Sequence, residues 1–176
     1  MTITVLDPTQ APLAEDLSGT SAPSPRLTTL NGKVIGLWNN EKLNAALLLE
    51  MICEELAKDY SFDIVRGIYD SGNLMPEDGW GAVDRCDAVI LANGDCGACS
   101  TSGIVNAIEL EKRGIPTLLV STPPFLDAVK TSASLRGMPT IRWAVVDHPV
   151  AMLMEADLRL RAISAASQVP GILLGA

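Results

Sequence analysis

Cys96 and Cys99 stand three residues apart in the stretch Asn93-Gly94-Asp95-Cys96-Gly97-Ala98-Cys99-Ser100-Thr101-Ser102. An apolar run from Asp87 to Ala92 ends just before it, and a helical pattern from Thr101 to Arg113 follows. This order puts Cys96 at a strand's C-terminal end and a helix's N-terminus. A sulfur there meets unpaired backbone N–H groups and the positive end of the helix dipole. Such a field favours thiolate, the reactive form. The second sulfur, one helical turn on, is placed to attack whatever bonds to the first. Cys96 therefore reads as the outer, attacking thiol and Cys99 as the resolving one. The small residues around them let the backbone bend sharply and a substrate approach.

The other candidates are weighed against plainer roles. His148, the chain's one histidine, follows the last strand pattern and suits proton transfer at neutral pH; a turn histidine capping the next helix is the alternative. Asp95 either orients a substrate, takes a proton, or caps the helix near Ser100 and Thr101, the cap being slightly favoured. Asn39, Asn40, Asn93, Ser100, Thr101, Ser121 and Thr122 are expected anchors for a carboxylate or amide substrate. Cys53, on an apolar helix face, and Cys86, at a strand entrance, read as core thiols. No metal is expected, since zinc needs two more ligands than the Cys96–Cys99 turn offers. Gly94, Gly97 and Gly103 do not match G-x-G-x-x-G, and no Walker lysine follows, so neither a dinucleotide nor ATP is expected as cofactor.

The elements that must hold these residues alternate. Strands are expected at Lys33–Trp38, Phe62–Tyr69, Ala88–Ala92, Ile115–Ser121 and Thr140–Val146. Helices are expected from Glu41 to Tyr60, around Trp80 to Arg85, from Thr101 to Arg113, from Phe125 to Arg136 and from Val150 to Gln168, with Gly114 and Gly137 as stops. Asp70 to Gly81 reads as a loop. Right-handed crossovers turn this into a three-layer α/β fold around an open, mostly parallel five-stranded sheet, Rossmann-like or flavodoxin-like. In such sheets ligands bind beyond the strands' C-terminal ends, where the polar candidates above collect. Residues 1–31, with Pro8, Pro12, Pro23 and Pro25, read as an irregular arm in which Ile3 to Leu6 is a candidate edge strand. Residues 32–176 read as one domain.

Composition agrees. Among 176 residues 48% are apolar but 4% aromatic, which suits a sheet of aliphatic side chains buried under helices. The net charge of −8, without a basic cluster, argues against nucleic acid as a partner. No run approaches the roughly 18 apolar residues of a membrane span. The N-terminal stretch has no Lys or Arg up to Pro25, unlike a signal peptide. The expectation is a cytoplasmic protein. The apolar end, Val169 to Ala176, reads as a surface for a homodimer or a heteromer.

Asn93 to Ser100, followed by the segment Ala107 to Thr117 (Ala-Ile-Glu-Leu-Glu-Lys-Arg-Gly-Ile-Pro-Thr), resembles the UGSC-motif (seleno)protein family. Thr4 to Thr9, Gly137-Met138-Pro139 and His148-Pro149 are similar to further landmarks of that family, and the resemblance spans nearly the whole chain. It implies that Cys96 matches a position open to selenocysteine, hence a nucleophilic or redox atom, with Cys99 as the second cysteine of the motif. Two positions depart from the pattern: Ala98 stands where Ser is usual, and Val105-Asn106 where a His-Asp pair is usual.

The reading is a cysteine-dependent enzyme performing thiol redox or thiol-transfer chemistry on a small molecule. A lyase or transferase of specialised metabolism with Cys96 as covalent nucleophile, and a non-catalytic subunit of a heteromeric enzyme, are the alternatives.

Overall fold

The computed structural model describes residues 20–70, 75 and 77–175. The candidate edge strand Ile3 to Leu6 lies outside them. Five strands form one sheet: β1 (Val34–Asn39), β2 (Asp63–Ile68), β3 (Ala88–Ala92), β4 (Thr117–Ser121) and β5 (Ala144–Val145). All are parallel, in the order β2-β1-β3-β4-β5. That is the flavodoxin-like order of doubly wound sheets. Every residue of β3 and β4 is buried, so these central strands are continuous apolar runs rather than alternating ones.

The connections leave the sheet's middle in opposite directions. From β1 the chain passes through α1 (Ala45–Leu56) to β2; from β3 it passes through α2 (Gly97–Lys112), β4 and α3 (Leu126–Leu135) to β5. A right-handed crossover places helices of opposite travel on opposite faces. Accordingly α1 and the last helix, α4 (Glu155–Leu173), cover one face with Leu48, Leu49, Ile52, Leu158 and Ala162. Ile104 and Ile108 of α2 and Val129 of α3 cover the other. The direction of winding reverses between β1 and β3. Their C-terminal ends frame the crevice where this architecture binds ligands.

Several bounds differ from the sequence expectation, α1 running Ala45–Leu56 rather than Glu41–Tyr60 and β2 Asp63–Ile68 rather than Phe62–Tyr69. Two elements differ for a tertiary reason. The strand expected at Thr140–Val146 shrinks to Ala144–Val145. There Gln168 of α4 accepts from the Val145 N–H at 3.0 Å and donates to its carbonyl at 2.8 Å. This side chain closes the sheet edge as a further strand would. The last helix starts at Glu155, not Val150, because the N–H groups of Val150 and Ala151 are engaged by Asp95. It then runs on through Pro170 to Leu173. Val169, Ile172 and Leu173 are buried in this chain's own core, and Leu27 bridges Leu174. Of the apolar end expected as an interface, Val169, Ile172 and Leu173 thus pack into this chain's own core, while Gly171 and Gly175 are exposed.

The described part of the arm is anchored as well. Leu30 is fully buried. Glu111, buried near the end of α2, accepts from Ser24 N–H (2.7 Å), Ser24 Oγ (2.5 Å), Arg26 Nη2 (2.5 Å) and Thr117 N–H (2.7 Å). Gly114, with φ of 83°, then turns the chain from α2 toward β4; only glycine takes that conformation without strain. No helix among the described residues is long and apolar enough to cross a membrane.

Candidate functional site

Helix α2 begins earlier than the Thr101 expected from sequence. Its N-cap is Cys96 itself, in extended conformation, and Cys99 N–H donates to Cys96 Sγ at 3.1 Å. The sulfur thus takes the place that a Ser, Thr or Asp oxygen usually fills at a helix start. No acidic residue occupies the first turn, so the helix's own sequence leaves the positive end of the dipole to that sulfur. Cys96 and Cys99 meet as a disulfide, with Cα atoms 5.3 Å apart, inside the range a disulfide spans. Cys96 is half-buried, whereas Cys99 is 5% exposed. Outer and inner sulfur are arranged as the sequence pattern predicts.

Asp95 does not cap α2. Its Oδ2 accepts from the N–H groups of Val150 and Ala151, both at 2.6 Å, and its Oδ1 lies 3.5 Å from His148 Nδ1. The carboxylate therefore laces the cysteine turn to the segment after β5. His148 Nδ1 also lies 3.3 Å from Thr122 Oγ1, and its ring stands edge-on to Phe125 at 5.7 Å. His148 is thereby fixed beside the cysteine turn. It precedes a cis peptide bond to Pro149.

These groups wall a cleft of about 460 Å³ lined by Lys42, Leu43, Gly94, Asp95, Cys96, Cys99, His148, Pro149, Ala151 and Met152. A neighbouring cleft of about 490 Å³ is lined by Asn40, Glu41, Lys42, Ile68, Tyr69, Asp70 and Met75. Lys42 belongs to both. Its stem passes so close to Gly94 that a Cβ there would lie 2.7 Å from Lys42 Cβ. The loop carrying Lys42 holds two non-glycine residues with positive φ, Glu41 at 58° and Asn44 at 65°. Asn44 Nδ2 ties that loop down by donating to the carbonyls of Val150 (2.9 Å) and Leu153 (3.0 Å).

The predicted anchors separate by strand face. One step beyond the paired residues Ile68, Asn39 and Ala92 lie Tyr69, Asn40 and Asn93, and two steps beyond Leu91–Leu119 lie Asn93 and Ser121. Alternation puts this row on the face of Trp38, Leu91 and Leu119, which is the α2 side. Asn93 Nδ2 accordingly donates to Ser100 Oγ at 3.3 Å, under the first turn of α2. Asn40 Nδ2 and Oδ1, Asn93 Oδ1 and Ser121 Oγ are buried with no hydrogen-bond partner among the described residues. Asn39 falls outside the row. Its Oδ1 accepts from Glu41 N–H (2.8 Å) and its Nδ2 faces Gly67 O (3.5 Å), so it shapes the turn instead of facing the crevice. Thr101 is half-buried in α2 and lines neither cleft.

The remaining thiols are quiet. Burial pushes the Cys53 thiol up to about 12 and the Cys86 thiol up to about 11, so neither ionises near neutrality. Among the described residues no three His, Cys, Asp or Glu side chains gather as a metal site.

A family model described as the UGSC family matches residues 4–175. The chain belongs to the UGSC family. No curated protein matches it. Among solved structures it is similar to the flavodoxin-like domain of a Synechococcus sp. protein at 12% identity, covering 78% of this chain and 99% of that domain with a TM-score of 0.39.

Within this UGSC chain, Asn106 of the Val105-Asn106 pair has a structural task. Asn106, fully buried in α2, accepts from Met75 N–H at 3.0 Å and donates to Ser102 O at 2.9 Å. It fixes one wall of the Asn40 cleft. Two site residues went unnoticed in the sequence. Phe125, against His148, left no local signal. Lys42 falls inside the helix expected from Glu41 to Tyr60, and only the later start of α1 at Ala45 puts it in the loop after β1.

Proposed function

We propose that this UGSC protein is a thiol-dependent oxidoreductase in which Cys96 exchanges with a sulfur–sulfur bond of a small molecule. Cys96 thiolate attacks one sulfur, forming a mixed disulfide while the other sulfur leaves as thiolate and takes a proton. Cys99 then attacks Cys96, releasing the second thiol and leaving the Cys96–Cys99 disulfide. Two electrons pass from the protein to the substrate, and an external dithiol returns them by the same exchange. The observation that carries this reading is Cys96 Sγ as the cap of α2, within bonding reach of Cys99 and open to a cleft. His148, held by Asp95 and Thr122, stands at that cleft to accept or return the proton. Asp95 is a positioning residue. A reducing cytoplasm suits such a pair.

The test is a pair of variants assayed for disulfide reduction with a dithiol donor. Cys96→Ser is expected to abolish turnover, and Cys99→Ser to stop at a mixed disulfide visible by mass spectrometry. Full turnover in Cys96→Ser ends the proposal. A carbon adduct on Cys96 with Cys99 dispensable would instead favour the lyase or transferase reading.

A further inference from the structure

The two clefts meet at Lys42, and what surrounds that lysine points to the substrate's charge. Among the described residues its ammonium has no ion-pair or hydrogen-bond partner. It is the single Lys or Arg lining either cleft, alongside Glu41 and Asp70 in one and Asp95, engaged by the Val150 and Ala151 N–H groups, in the other. Glycine at position 94 lets its stem lie against the cysteine turn, because any larger residue would collide with Lys42 Cβ. An independent observation lies beside it. Asn40, 4% exposed, lines the adjoining cleft and carries both a donor and an acceptor with no partner among the described residues. Buried amides are ordinarily satisfied, so Asn40 leaves beside the cleft a donor and an acceptor that the described residues do not match.

We infer that Lys42 and Asn40 form a carboxylate-recognition subsite, so that the substrate of the Cys96–Cys99 pair is a small disulfide bearing a carboxylate. This rests on the thiol-exchange reading above and adds the substrate class to it. Lys42 Nζ and Asn40 Nδ2 donate to the carboxylate, and the substrate's sulfur reaches Cys96 in the adjoining cleft. Each cleft is of the size that holds a metabolite. With a net charge of −8, the chain as a whole repels anions, so any preference for them must arise locally.

Three aliphatic disulfides of similar size make the test: 3,3′-dithiodipropionate (anionic), bis(2-hydroxyethyl) disulfide (neutral) and cystamine (cationic). The second-order rate of Cys96 oxidation in the reduced protein is measured with each, in one turnover. The expected order has the dipropionate fastest. Lys42→Gln is expected to slow it about tenfold, the loss of one charge-assisted contact, and to slow the hydroxyethyl probe by less, so that the ratio of the two rates falls. Lys42→Arg is expected to keep the preference. Asn40→Leu is expected to lose it with an unchanged or higher Tm, since it removes two unpartnered polar atoms. A wild-type rate that is equal for all three probes, or fastest for cystamine, overturns the inference and leaves thiol exchange standing. Equal slowing of all probes by Lys42→Gln overturns it too, as does an Asn40→Leu protein with wild-type preference. No reaction with any probe sinks the thiol-exchange reading itself.

Discussion

Graded alkylation of the four cysteines tests the proposed chemistry without knowledge of the substrate. At pH 7 an ordinary thiol, with a pKa of about 8.5, is about 3% thiolate. Cys86, pushed up to about 11 by burial, is about 0.01% thiolate, and Cys53, pushed up to about 12, about 0.001%. Ionisation alone then separates an accessible, unperturbed thiol from Cys86 by about 300-fold and from Cys53 by about 3,000-fold. On the thiol-exchange proposal, the Cys99 N–H and the α2 N-terminus are expected to outweigh the opposing Asp95 carboxylate and favour the Cys96 thiolate. Cys99, with the same local charge but buried, is limited by access. The assay reduces the protein, exposes it to iodoacetamide between pH 6 and 9, quenches at intervals, and reads each site by peptide mass spectrometry. Cys96 is expected to label first, by at least about 300-fold over Cys86, and to level off at a lower pH than free cysteine does. Labelling of Cys96 no faster than of Cys86, or a rate that climbs through pH 9 as a free thiol's does, refutes the claim that the helix end stabilises its thiolate.

Four further outcomes follow from contacts away from the sulfurs. Glu111→Ala leaves Arg26, the Ser24 N–H and hydroxyl and the Thr117 N–H without their shared acceptor. The loss, about 3–5 kcal/mol, is to be read by urea unfolding; a loss below about 1 kcal/mol would show that the arm does not depend on it. The Val34 N–H and, next, Lys33 hold the Asp87 carboxyl below its usual range. Its stabilising effect is therefore complete above the unfolded pKa of about 3.9 and fades as pH falls through the lower folded value. Asp87→Asn should flatten the acid limb of stability against pH and leave its slope above pH 6 unchanged. Gly94→Ala forces a Cβ to within 2.7 Å of Lys42 Cβ. Overpacking of about 1–3 kcal/mol should lower Tm, and an unchanged Tm would mean that the two loops part freely. Asp95→Ala and Asn44→Ala both release the segment Val150–Leu153. In a double-mutant cycle their effects should miss additivity by about 0.5–3 kcal/mol; strict additivity would show that the two tethers act separately.

Periodicity and turn residues carried much of the fold. The apolar run Ala88–Ala92 is a strand with the expected bounds, and the alternation of strands and helices is as read. Elements whose limits are set by distant partners were illegible: Gln168 closing β5 and Asp95 delaying α4 both act over long sequence separations. The site was legible by position and not by direction. Of the polar residues expected at strand ends, Asn40, Tyr69 and Asp70 line one cleft and Asp95 and His148 the other. Asn93, Ser100, Ser121 and Thr122 are buried and line neither of these two. Asn39 and Asn40 look alike in sequence. Only register and the pleat decide that Asn40 joins the row with Asn93 and Ser121 while Asn39 turns away. The UGSC pattern contained one more signal. Glu111, in the Glu-Leu-Glu-Lys-Arg segment that carries the resemblance, is the buried acceptor that binds the arm.

The site's walls depend on one another. The cysteine turn reaches the β5–α4 segment through Asp95, the loop after β1 reaches the same segment through Asn44, and Gly94 lets the first and third pack directly. Three loops that hold one another pairwise leave little freedom for the distance between Cys96, Lys42 and His148. On the thiol-exchange proposal such fixity positions the nucleophile against its substrate, where a misplacement of about 1 Å can cost about 100-fold in rate. It also explains why unpartnered polar atoms persist here. Unpartnered Asn40 and Ser121 cost stability, and loops locked by three tethers limit how far this sheet end can relax to satisfy them.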